Sequence, residues 1–90
     1  MFSRLGPNAA RSSDGFEVVR TGRMQLKYRE GSRSLTVEVE PGDGLAIYRG
    51  SVVGWDAPHE DRGLTPDQKH RIVERICAAL DFLGVPYVLD

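Results

Sequence analysis

His59, Glu60 and Asp61 set an imidazole beside two carboxylates, the residue types of a metal site or of acid–base catalysis. A metal ion needs three or four ligands converging from defined spacings. The only other histidine, His70, stands four residues before Glu74, and no third ligand accompanies that pair. These residues support either a small metal-binding or hydrolytic domain built on the His59/Glu60/Asp61 loop, or a solvated loop with no chemistry.

The remaining nucleophiles are poorly placed. Cys77 falls on the apolar side of a helical pattern, far from a helix N-terminus that would lower its pKa, so it reads as core filler. Ser51 sits in Tyr-Arg-Gly-Ser-Val, which lacks the second glycine of a nucleophile elbow. Gly42-Asp43-Gly44 precedes no helix start and so makes no phosphate cradle. No cofactor is implied, no metal ligand set is complete, and the chain reads as not an enzyme.

Trp55 is the one large aromatic in an irregular stretch. It is either a lid on the core or an anchor at an interface, because tryptophan serves both uses. Carboxylates gather around it. Residues 38–61 carry Glu38, Glu40, Asp43, Asp56, Glu60 and Asp61 against Arg49 alone, a net −5, whereas residues 1–37 carry +4 and residues 62–90 are neutral. Glu38, Glu40, Trp55, Asp56, His59, Glu60 and Asp61 are the candidate surface for a basic protein partner.

Several elements must position these groups. Gly15 and Gly22 bracket Phe16–Arg20, a short strand or irregular lead-in. Met24, Leu26 and Tyr28 alternate with Gln25, Lys27 and Arg29, the period of a half-buried strand. Leu35, Val37 and Val39 alternate with Thr36, Glu38 and Glu40 in the same way. Glu30-Gly31-Ser32 joins the two as a hairpin. Pro41-Gly42-Asp43-Gly44 stops the second strand. Leu45–Tyr48 is a third, with Val52-Val53 as a brief extension.

Helix signals then arrive together. Thr65 is the N-cap, Pro66 takes the first helical position, and Gln68 completes a capping box. Ile72, Ile76, Ala79, Leu80 and Leu83 form one stripe of period 3.6, widened by Val73 and Cys77, with Lys69, Arg71, Glu74, Arg75 and Asp81 facing water. Gly84 and Pro86 end the helix. Val85–Leu89 is a possible final edge strand. The expectation is an α+β fold: an antiparallel β-meander of three to five strands packed on one C-terminal amphipathic helix over 66–83. Residues 1–15 read as a flexible tail and 16–90 as the single domain.

Size and composition exclude some classes. A chain of 90 residues with 40% hydrophobic and 28% charged residues is one globular domain with a thin core. No apolar run approaches a membrane span, and the N-terminal residues lack the apolar core of a secretory signal. One cysteine gives no internal disulfide and suits a reducing cytoplasm. A net charge of −1 without a basic stripe argues against nucleic acid.

Three strings together resemble a known family. They are Tyr28-Arg29-Glu30-Gly31-x-Arg33-Ser34, then Ile47-Tyr48-x-x-Ser51-Val52-x-x-Trp55-Asp56-x-Pro58-His59, then the Thr/Pro/Asp helix start leading to Ile72-x-x-x-Ile76. Over residues 22–84 the chain resembles a small family of bacterial immunity proteins from polymorphic-toxin systems. The resemblance implies a cytoplasmic antitoxin that binds and occludes a cognate toxin, and it implies no catalytic residues. A homodimer paired through an exposed strand edge is the remaining structural reading.

Overall fold

Seven strands lie side by side in chain order in a computed structural model describing residues 1–90. They are β1 (Phe2–Gly6), β2 (Ala9–Ser12), β3 (Phe16–Gly22), β4 (Gln25–Glu30), β5 (Arg33–Glu40), β6 (Leu45–Ile47) and β7 (Tyr87–Leu89). One long helix, α1 (Pro66–Leu83), separates β6 from β7. Strands β1 to β6 form an antiparallel meander, whereas β7 returns through α1 and pairs parallel with β6. The fold is therefore α+β with one helix, but its sheet is mixed and exceeds the expected three to five strands.

Residues 1–15, read from sequence as a tail, contain β1 and β2. Their composition is small and polar, yet Ala10 and Ser12 are buried under the helix because a small side chain fits there. Phe2 stacks on Phe82 of α1 with centroids 5.5 Å apart and meets Phe16 edge-on at 5.8 Å. These long-range contacts, not local propensity, hold the first hairpin.

The central hairpin follows its alternation. In β4 and β5, Leu26 pairs with Val37 and Tyr28 with Leu35, and all four are buried. Gly31 takes φ +62° in the two-residue turn, a conformation open to glycine at little cost. Met24 departs from the pattern: it lies before β4 and is exposed. Val52-Val53 is not a strand; a 3₁₀ turn at Arg49–Ser51 precedes it, Val52 is buried and Val53 exposed.

Helix α1 forms as its caps direct. The Thr65 side chain accepts from the Gln68 N–H while the Gln68 side chain accepts from the Thr65 N–H. At the other end Gly84 is left-handed, its N–H donates to Asp81 O, and the Val85 N–H donates to Leu80 O, the two bonds of a Schellman cap. The helix buries Ile72, Val73, Ile76, Ala79 and Leu80 against the inner face of the sheet. Leu83 and Cys77 are only half-buried. Arg75, expected in water, instead reaches inward: its guanidinium donates to the Tyr28 phenol oxygen at 2.9 Å and to Glu30 at 3.2 Å. No helix is long and apolar enough to cross a membrane.

Candidate partner-binding surface

The outer face of the sheet, opposite α1, is where the polar halves of the alternating strands collect. Register places Lys27 beside Thr36, Gln25 beside Glu38, and Glu40 beside Ala46. On this face Gln25, Glu38 and Glu40 are exposed, whereas Lys27 and Thr36 are half-buried.

Strand β6 covers only the last residues of β5. Beyond it, residues 48–56 track the β5 edge and satisfy its backbone by other means. The Tyr48 N–H donates to Glu38 O at 3.0 Å. The Ser51 hydroxyl accepts from the Glu38 N–H at 2.8 Å and donates to Tyr48 O at 2.6 Å. The Asp56 N–H donates to Ser34 O at 2.7 Å. Between these points Val52 and Trp55 plug into the core. A short strand followed by a side-chain-bonded segment thus does the work of one long strand, because a buried backbone group left unpaired is costly.

Each residue of the candidate surface has a definite place. Trp55 is 6% exposed, near Tyr28 and under the Arg33 guanidinium at 4.8 Å; it is a core lid. Asp56 is half-buried, accepting from Lys27 Nζ at 3.1 Å and from the Thr36 hydroxyl at 3.0 Å. These bonds fasten the loop to the outer face, and its charge is already matched by Lys27. Glu38 and Glu40 are exposed on that face. His59 is half-buried, and Glu60 and Asp61 are exposed in a 3₁₀ turn just before α1. No three His, Cys, Asp or Glu side chains converge as a metal site, so His59, Glu60 and Asp61 do not assemble the ligand set that the alternative reading needs. The second histidine, His70, pairs with Glu74 at 2.6 Å on the exposed side of α1.

Tyr48 is the hub that sequence reading missed. Its hydroxyl donates to Glu40, and Glu38 and Asp90 add negative charge nearby. The bond to Glu40, then desolvation, then these carboxylates hold the phenol proton more tightly than in a free tyrosine. Gln25, Thr36, Glu38, Tyr48, Ser51 and Asp90 line a shallow concavity of about 650 Å³. Its charged members are carboxylates, and a tyrosine stands among them, a composition suited to a cationic protein surface. The pattern Tyr-x-x-Ser-Val-x-x-Trp-Asp therefore divides by role. Ser51, Val52, Trp55 and Asp56 fasten the segment, and Tyr48 organises the acidic outer face.

The model of the family Immunity protein 74 matches residues 18–90. No curated protein and no solved structure matches the chain. The match runs from within β3 through β7 together with α1, and so takes in every residue of the candidate surface; this chain belongs to the Immunity protein 74 family.

Proposed function

We propose that this chain is a non-catalytic bacterial antitoxin of the cytoplasm that neutralises a cognate toxin by occluding it. Membership of the Immunity protein 74 family is the observation that carries the reading. The partner surface is the outer face of the sheet, centred on Glu38, Glu40, Tyr48 and Asp90, and the toxin meets it with a basic patch. Glu60 and Asp61 extend the negative field from the neighbouring loop. Trp55 supports this surface from within, and Asp56 holds it in register through Lys27 and Thr36.

The mechanism needs no reaction by this chain. A complementary face covers the toxin's working surface, and charge raises the rate of encounter. The test is co-expression with the toxin-like product of the adjacent gene, followed by co-purification. Restored growth together with a stable one-to-one ratio of the two chains supports the reading. Unchanged toxicity with no recovered complex would sink it.

A further inference from the structure

Strand β7 ends the order of the sheet, so one side of it is unpaired. The Leu45 N–H donates to Pro86 O at 2.8 Å, the Asp90 N–H to Ile47 O at 2.8 Å, and the Arg49 N–H to Asp90 O at 3.0 Å. Backbone direction alternates along a strand. The N–H and C=O groups of Tyr87 and Leu89 therefore point away from β6, to the open edge. Their side chains pair with the inner-face residues Leu45 and Ile47. Together with Val73, Cys77 and Ala78 of α1 they line a groove of about 500 Å³ between the helix and the edge.

The groove is charged differently at its two ends. Chain direction reverses at Gly84–Pro86, so the start of β7 lies by the end of α1. There the Tyr87 hydroxyl is 3.5 Å from Asp81. At the other end Lys69 and His70 of α1 lie by the end of β7, joined by Arg49, whose guanidinium donates to Asp90 O at 3.3 Å. Glu74, paired with His70, stands between.

We propose that a second copy of this chain occupies this edge, with β7 pairing antiparallel to its own counterpart about a two-fold axis through Val88. Two features select this occupant. Tyr87 then lies opposite Leu89 of the second copy, and both are outward-facing residues. Each such pair exchanges two N–H···O=C bonds, giving four about the axis. The same operation brings the acidic end at Asp81 against the basic end at Lys69 and Arg49, twice over. An isologous contact requires this self-complementarity. Tyr87 and Leu89 also form a cross-strand aromatic–aliphatic pair on the helix side. The outer faces stay open, and the two Glu38/Glu40 surfaces come to lie on one continuous sheet. This pairing does not rest on the toxin reading.

Sedimentation of the full chain alone, over a dilution series up to about 1 mM, the concentration range that reports weak self-association, tests the proposal. The expected result is a concentration-dependent monomer–dimer equilibrium. Leu89→Pro removes an N–H that makes no bond within one copy, and edge strands tolerate proline at such positions. That variant should melt as the wild type does and stay monomeric. Asp81→Lys should weaken the dimer by about tenfold or more, and Asp81→Lys with Lys69→Glu should restore it; lysine near a helix C-terminus favours the fold, so the loss is not unfolding. A wild-type chain that remains monomeric throughout the series, even one whose β7 edge then accepts a strand of the toxin, overturns the proposal. So does a Leu89→Pro chain that dimerises as the wild type does.

Discussion

The Arg75 guanidinium stands 2.9 Å from the Tyr28 phenol oxygen, joining the middle of α1 to the middle of the sheet. The same phenol donates to Glu30 at 2.7 Å, and Arg75 also lies over the Phe16 ring at 4.8 Å. A cation, a phenol and a carboxylate thus meet at the border of the core, and no buried side-chain polar atom lacks a partner. Burial first, and then the bond to Glu30, push the Tyr28 phenol from 10.0 to about 12, although Arg75 pulls the other way. The folded-state pKa is raised, so this contribution to stability is complete below pH 10 and is lost as pH rises through about 12. Denaturant melts across this window should show falling stability, and Tyr28→Phe should flatten that fall. A wild-type profile no steeper than that of Tyr28→Phe would contradict the assignment.

Ile76 is fully buried at the centre of the helix stripe. Truncation there leaves a cavity walled by sheet side chains that cannot close in. Ile76→Ala should cost about 2–5 kcal/mol in a chemical melt, with little change in the slope against denaturant. A loss under about 1 kcal/mol would place Ile76 at the surface.

Much of this architecture was legible because its chemistry is local. Thr65, Gln68 and Gly84 cap α1 through atoms within a few residues, so the helix bounds of 66–83 follow from the sequence. Gly31 between two alternating runs likewise specifies the central hairpin. The first hairpin was not legible: Ala10 and Ser12 are strand residues only because α1 and Phe2 pack nearby. Nor does periodicity reveal that β7 joins β6 in parallel, since pairing partners are set by tertiary contact. At the candidate surface, Glu38 and Glu40 could be read as one polar strand face. Tyr48 could not be joined to them, because their meeting depends on the register of β5 against the segment after β6. Asp56 counts in the sequence as one more carboxylate of the candidate surface, but it is held by Lys27, 29 residues earlier in the chain.

Trp55 separates a core role from an interface role by spectroscopy. Its 6% exposure predicts a blue-shifted emission that moves to the red on unfolding, with poor quenching of the native state by iodide. Trp55→Ala should cost about 3–5 kcal/mol. Binding of the toxin should leave the native emission nearly unchanged. A large shift on complex formation would return Trp55 to the interface.

Cys77 lies half-buried beside the β7 groove, and desolvation is the main cause raising its thiol pKa above 9.0. The thiolate is the reactive form, so native Cys77 should label slowly at neutral pH, and faster as pH rises or denaturant is added. Labelling at neutral pH as fast as that of a free thiol would refute this assignment.

The acidic outer face gives the sharpest functional prediction, because two kinds of carboxylate there should respond differently. Glu38 and Glu40 are exposed and only Glu40 gives up a side-chain bond, the one it accepts from the Tyr48 hydroxyl, so Glu38→Lys with Glu40→Lys should cost folding about 1 kcal/mol or less. The same double variant should bind the toxin more weakly, chiefly through a slower association that has lost most of its dependence on salt. Glu60→Lys with Asp61→Lys, in the loop before α1, should act in the same direction but less, since those groups lie outside the concavity around Tyr48. Asp56→Lys is not equivalent. It would place a cation against Lys27 and remove the acceptor used by Thr36, and should lower stability before any effect on binding can be read. Asp56→Asn keeps an acceptor for Thr36 and is the better control, with an expected stability loss of about 1 kcal/mol. Stopped-flow association at two ionic strengths, beside a melt of each variant, separates these outcomes. If Glu38→Lys/Glu40→Lys associates at the wild-type rate with the wild-type salt dependence, the outer face is not where the toxin docks, and the exposed side of α1 becomes the surface to examine.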